Sequence, residues 1–256
     1  MSTTPLTATT TARPTVSVVI PALNEAKNLP HVLPHIPAWV HEVILIPGHS
    51  TDDTVAVAQA LRPTVRIVEQ HGRGKGAALR SGFAAATGEI IVMLDADGSM
   101  DPREIAAYVD ALVAGVDFAK GSRFLAGGGT VDMEFYWQAG NWGLMLAVRV
   151  LFGGTYSDLC YGYNAFWTRI LPVLDLDAVG FEIETQMNVR VLLHDLMVVE
   201  VPSYEAERVH GVSNLRTLPD GWRVLKTILR ERVSAWHRVL PTFGTITTPE
   251  QVMVKA

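Results

Sequence analysis

The chain has one cysteine, Cys160, among its 256 residues. A single thiol excludes an intramolecular disulfide framework and any metal site built from several cysteines. It suits a cytoplasmic protein. No run of about 18 apolar residues occurs, so no membrane-spanning helix is expected. The longest apolar region, 142–152, is interrupted by Arg149. Basic excess is missing too: 21 Lys and Arg stand against 26 Asp and Glu, a net charge of -5. That balance speaks against a nucleic-acid partner, which calls for a basic face. Residues 1–14 are rich in Ser, Thr, Ala and Pro and lack the apolar stretch of a signal peptide. They read as a tail, as do residues 239–256. No internal repeat is visible.

What remains is 48% hydrophobic and 18% charged, ample for a folded core. The length fits one large α/β domain or two small ones. Short β-branched or apolar runs predict strands at Val16–Ile20, Glu42–Ile46, Val65–Glu69, Glu89–Leu94 and Met197–Val201. Helical spacing marks Asp52–Leu61, Gly76–Thr87 and Asp101–Ala114, with Ser50 or Thr51 as a cap for the first. Strands and helices alternate about every 25 residues, the pattern of a parallel sheet covered by helices. In such sheets ligands bind at the carboxyl ends of the strands. The segments to watch are therefore 21–25, 47–53, 71–76 and 95–99. Farther on, Phe135–Phe152 and Phe181–His194 read as helices, and Gly221–Trp236 as an amphipathic basic one. Gly127–Gly129 reads as a flexible joint.

Two segments carry chemistry on their own residues. Asp95-Ala96-Asp97 follows the fourth strand directly. Two carboxylates one residue apart can converge on a hard divalent cation as the chain turns. Such a cation can neutralise a departing diphosphate. The plain alternative is that both aspartates cap the next turn. The second segment, His71-Gly-Arg-Gly-Lys-Gly76, lies between a strand and a helix. Its glycines permit close backbone approach, and a helix start favours anions. Arg73 and Lys75 add positive charge, although a solvated turn fits equally. It is not a Walker loop, because no Ser or Thr follows Lys75.

Four signals in order then carry a resemblance: VSVVIPALNE at 16–25, STDDT at 50–54, GKGAALRSG at 74–82 and DAD at 95–97. GSRF at 121–124, DLCYGYNAF at 158–166, GFEIETQM at 180–187 and ERVHGVSNL at 207–215 extend it. Together they resemble the inverting family-2 glycosyltransferases, and within them the dolichyl- or polyprenyl-phosphate mannose and glucose synthases. The resemblance implies a single-domain α/β fold of the GT-A type, a Rossmann-like, mostly parallel sheet flanked by helices. A nucleotide half would cover about 15–120 and an acceptor half about 121–238 of a domain spanning 15–238. It implies transfer of mannose or glucose from a GDP- or UDP-sugar, with Mg²⁺ or Mn²⁺, to polyprenyl phosphate. A soluble small-molecule acceptor is the alternative reading.

By position, the resemblance puts Pro21, Ala22, Asn24 and Glu25 in the nucleoside pocket. Arg73, Lys75, Asp95 and Ala96 would line the donor site, and Asp97, helped by Asp95, would hold the metal. Arg123 and Asp158 would approach the sugar or acceptor, with Glu182 and Glu184 on the acceptor side. Arg208 and Ser213 would belong to a loop closing over the phosphates. A hydroxyl acceptor needs a base, for which Glu182 and then Asp158 are the candidates. Glu182 also reads as an N-terminal helix carboxylate. The sequence departs from the family where an acidic pair usually follows the second strand: Pro47 and Gly48 stand there, with His49 and Asp53 as possible substitutes. Asn214 replaces a common lysine in the closing loop.

Two rivals remain. A nucleotidyltransferase would want a Gly- and Arg-rich loop after the first strand, where PALNEAKN stands. A non-catalytic nucleotide-sugar-binding homologue is motivated by Pro47 and Gly48, and opposed by the intact DAD and Arg208. His210 reads as a metal ligand or a solvated loop residue. Phe135, Tyr136, Trp137 and Trp142 read as an acceptor surface or as core. Trp222, Arg223, Lys226, Arg230 and Arg232 read either as a solvated helix face or as a peripheral contact with anionic lipid at the inner face of the membrane.

Overall fold

The computed structural model describes residues 13–131, 135–212 and 215–239. Its elements run β1 (Val16–Pro21), α1 (Leu29–Val32), β2 (Glu42–Ile46), α2 (Thr54–Leu61), β3 (Arg66–Ile67), α3 (Lys75–Ala85), β4 (Ile90–Met93), α4 (Ile105–Val113) and β5 (Phe118–Ser122). Then follow β6 (Gly129–Thr130), α5 (Phe135–Phe152), β7 (Asn164–Trp167), α6 (Leu171–Leu174), α7 (Ile183–Leu193), β8 (Val198–Pro202), β9 (Tyr204–Glu205) and α8 (Thr217–Val239).

Seven strands form one sheet in the order β3-β2-β1-β4-β7-β5-β8. Only β7 runs antiparallel to its neighbours, so the sheet is mixed but mostly parallel. Successive side chains of a strand point to opposite faces, so a strand covered on both sides must be apolar throughout. Val16, Val18 and Ile20 of β1 join Ile90 and Val92 of β4 under α1 and α4. Val19, Ile91 and Met93 point the other way, under α3 and α7. A third cluster, Val148, Val189, Val224 and Ile228, locks α5, α7 and α8 together. Gly82 sits where α3 crosses the sheet. A Cβ there would come within 2.4 Å of Val19 and 2.7 Å of Ile46, so only glycine lets the helix approach so closely.

Two expectations need correction, and one strand was not expected. The N-cap position of α2 is Asp53, not Ser50 or Thr51, and the side chain that accepts from the Thr54 N–H is that of Asp52. The joint at 127–129 is not a free hinge, because Gly129 starts β6, which pairs with β9 in a small second sheet. And β5, with the sequence FAKGS, carries no apolar alternation, so its pattern does not read as a strand. It is buried nonetheless. Its Lys120 is fully enclosed and donates to the carbonyls of Gly121 (2.9 Å) and Tyr161 (3.0 Å). Burial pushes the pKa of that ammonium down.

Candidate functional site

The carboxyl ends of β1, β2 and β4 open into a cavity of about 890 Å³. Pro21, Ala22 and Glu25 line it from β1, Ile46, Gly48 and His49 from β2, and Asp95, Ala96 and Asp97 from β4. Gly74 and Lys75 enter from the start of α3, and Arg123 from the end of β5. Across from them stand Asn141 and Leu144 of α5, Glu184 of α7, Arg208, and Asp220 and Val224 of α8.

Asp95 and Asp97 leave β4 toward different cations. The Lys75 ammonium lies between Asp95 (2.8 Å) and Glu184 (2.9 Å). Burial opposes its charge, but the two carboxylates more than offset this and hold its pKa above the usual lysine value. Burial raises the pKa of Glu184, and Lys75 opposes that rise. Asp97 accepts from the backbone N–H (3.0 Å) and hydroxyl (2.7 Å) of Ser99 through Oδ1. Its Oδ2 faces the Arg208 guanidinium at 3.3 Å. Arg208 also donates to Glu25 at 3.0 Å. Burial raises the Glu25 pKa, partly offset by hydrogen bonds from Asn28 and Arg208.

Among the described residues no cluster of three or more His, Cys, Asp or Glu side chains is placed to hold a metal alone. Asp95 and Asp97 still offer hard oxygen donors on the cavity wall. They fit a Mg²⁺ or Mn²⁺ ion that takes its remaining ligands from phosphate and water.

Several expected residues sit elsewhere. Asn24 does not line the cavity. It adopts φ +59°, and its side-chain oxygen accepts from the Thr51 N–H at 2.8 Å, tying the β1 loop to the β2 loop. Arg73 is exposed outside the cavity. The glycines beside it serve a different neighbour from the one expected: a Cβ on Gly76 would come within 2.6 Å of the Ala178 carbonyl. The close approach is to the protein's own 178–180 loop.

Asp158 is 0% exposed and receives two hydrogen bonds from the Arg123 guanidinium, at 2.7 and 3.0 Å. Burial alone would raise its pKa, but Arg123 more than reverses this. It does not reach the cavity. Glu182 precedes α7 and turns back, accepting from the N–H groups of Val179 (3.3 Å) and Gly180 (3.0 Å). That leaves it off the cavity wall, where Glu184 stands instead. Glu182 occupies the N-cap position of α7, yet its side chain bonds to the preceding loop and not to the helix. His210 also stays off the wall, its ring 5.8 Å from that of His31. Trp142 is exposed rather than core. Ser213, Asn214, most of the two expected tails, and the side chains of Phe135, Tyr136 and Trp137 lie outside the described residues.

Sequence reasoning missed Gln70, Tyr161, Phe181, Glu205 and Asp220, all of which line the cavity. Glu205 pairs with Arg123 at 2.8 Å. It stands two residues before the ERVHGVSNL segment, outside every motif that drew attention in the sequence. Asp220 comes from the first turn of α8, which the expected boundary at Gly221 cut off.

No helix among the described residues is long and apolar enough to cross a membrane. The family model described as Glycosyl transferase family 2 matches residues 17–171. Polyprenol monophosphomannose synthase from Mycolicibacterium smegmatis is 34% identical over 80% of this chain and 83% of its own length. Dolichol-phosphate mannosyltransferase from Pyrococcus furiosus is 29% identical over 78% of this chain, which spans only 59% of that longer relative. Among solved structures, glucosyl-3-phosphoglycerate synthase from Mycobacterium tuberculosis, with Mn²⁺, uridine-diphosphate-glucose and phosphoglyceric acid, superposes with a TM-score of 0.68 at 25% identity. That match covers 87% of this chain and 81% of the other. On the family match, the identity and the cavity at the strand ends, the chain belongs to glycosyl transferase family 2 and is a glycosyltransferase.

Proposed function

We propose that this protein moves a hexose, mannose or glucose, from a UDP- or GDP-sugar to a soluble small-molecule acceptor, with inversion. The observation that carries the reading is the cavity wall on which Asp95, Asp97, Lys75 and Arg208 converge. When bound there by Asp97 and Asp95, Mg²⁺ or Mn²⁺ would neutralise the diphosphate. The chain's own part is to place charge where it develops. As the sugar–phosphate bond breaks, negative charge grows on the departing oxygen. Arg208, exchanging Glu25 and Asp97 for phosphate, offsets that charge. Lys75 keeps Asp95 in position. Arg123, fixed by Asp158 and Glu205, faces the acceptor half of the cavity; Asp158 and Glu182 are positioning residues in this scheme. An acceptor phosphate needs no base, and for an acceptor hydroxyl Glu184, paired with Lys75, is one of the carboxylates on the wall that could serve.

The soluble acceptor is supported by the structural likeness to an enzyme solved with phosphoglyceric acid. A second reading, polyprenyl phosphate, is supported by the sequence likeness to a polyprenol monophosphomannose synthase.

Thermal shift with UDP, GDP, ADP, CDP and dTDP, each with and without Mn²⁺, tests the donor. At about 100 times the dissociation constant a ligand stabilises by about 2.7 kcal/mol. In a chain of this size that is roughly 5–10 °C. One nucleotide should shift melting, and only with metal; Asp97→Ala should abolish the shift. No shift with any of them would count against nucleotide binding, and with it against the donor assignment. Transfer assays with phosphoglyceric acid and with a polyprenyl phosphate then separate the two acceptors.

A further inference from the structure

Helix α8 has two apolar faces, and only one is used inside the fold. Val224, Thr227, Ile228 and Glu231 are buried against α5 and α7. Leu218, Trp222, Leu229 and Trp236 recur at intervals of four and seven residues, which places them on one line of the helix. That line points outward, with exposures of 84%, 65%, 49% and 63%. A water-facing helix should carry polar residues there. Neighbouring α5 repeats the feature, with Trp142, Leu146 and Val150 exposed at intervals of four.

Charge accompanies the stripe. Helix α8 holds five Arg and Lys residues against two carboxylates, a net +3 in a chain whose total is -5. The rest of the chain therefore carries -8. Arg223 and Arg230 pair with Asp220 and Asp177, whereas Lys226 and Arg232 are exposed and have no ion pair among the described residues. A water-soluble protein partner would be one way to cover such a stripe. Tryptophans flanked by cations in an otherwise acidic protein match a different surface: an apolar interior beneath a negatively charged layer.

We propose that the outer face of α8, with α5 beside it, docks on the surface of a bilayer containing anionic lipid. The helix lies in the interfacial plane, Trp222, Leu229 and Trp236 reach below the headgroups, and Lys226 and Arg232 meet lipid phosphates. Asp220, Gly221 and Val224 of α8 and Asn141 and Leu144 of α5 line the cavity, so docking sets its acceptor wall close to the membrane. The inference stands on this surface and does not depend on which acceptor is used.

Vesicle co-sedimentation of the full chain tests it, with phosphatidylcholine alone and with about one-third phosphatidylglycerol. The protein should bind the mixed vesicles, bind pure phosphatidylcholine far less, and dissociate as salt rises. Trp222→Ala/Trp236→Ala should weaken binding at least about tenfold, and Lys226→Glu/Arg232→Glu by more, at about fivefold per cation removed. Both variants should keep the nucleotide-dependent thermal shift, which separates a lost surface from a lost fold or a wrong donor assignment. Three results would overturn the proposal: no binding to either vesicle, binding unchanged in both variants, or a dimer that Trp222→Ala/Trp236→Ala dissociates while vesicles bind nothing.

Discussion

Arg208 donates to Glu25 at 3.0 Å, although 183 positions separate them in the chain. The contact joins the segment after β1 to the segment before α8 across the mouth of the cavity. Asn28 reinforces it by donating to the carbonyl of His210 at 3.1 Å. In the proposed reaction a diphosphate competes with Glu25 for the guanidinium. Arg208→Ala should therefore lower kcat by about a hundredfold or more, the usual effect of removing one preorganised donor. Steady-state kinetics should show the loss in kcat rather than KM, with partial recovery in Arg208→Lys.

Lys75 is the central charge of the Asp95–Lys75–Glu184 group. Removing it leaves Glu184 buried without its counter-ion. Lys75→Ala should destabilise the fold by about 3 kcal/mol in urea denaturation, as expected when one partner of a buried pair is deleted. Lys75→Ala/Glu184→Ala should cost less than the two single changes added together, because the pair acts as a unit. Additive losses would refute the coupling.

Asp158 and Glu182 both entered as candidate bases, and their placements predict different behaviour. Asp158→Asn should reduce kcat/KM by loosening Arg123 while leaving the acid limb of the pH profile in place. A lost acid limb would make Asp158 the base after all. Glu182→Gln keeps an oxygen that can accept from the Val179 and Gly180 N–H groups. It should transfer sugar at close to the normal rate.

Glu42 offers a test of stability against pH. It accepts from Ser17 (2.6 Å) and from the N–H (2.7 Å) and hydroxyl (2.8 Å) of Thr87, and it pairs with Arg66. Burial works against ionisation, but these donors lower its pKa from 4.5 to about 2. A depressed folded-state pKa gives stability that is fully present above the unfolded value and lost as pH falls through the folded one. Glu42→Gln should thus melt at a lower temperature than the parent at pH 7. The gap should shrink between pH 4.5 and about 2. A gap independent of pH would show that the carboxylate's charge is not what matters.

The sequence alone determined strands β1, β2 and β4. Continuous apolar runs at β1, β2 and β4 can only be strands buried on both faces, and the segments that follow must then gather at one sheet end. Pro21, Glu25, Asp95 and Asp97 were legible for that reason, because a local period and a strand end suffice to place them. The second half was read less fully. Strand β5 hides Lys120 and Gly121 in a position whose burial depends on Tyr161, 41 residues away. Whether a carboxylate faces the cavity was decided by tertiary structure alone. Glu182 and Glu184 lie two residues apart, yet at the start of a helix that spacing turns one side chain back onto its own loop and sends the other to Lys75. Asp158 was settled in the same way, by a guanidinium that reaches it from β5. Ion pairs between distant segments leave no periodic trace in a sequence, because charge is satisfied wherever folding happens to bring the partner.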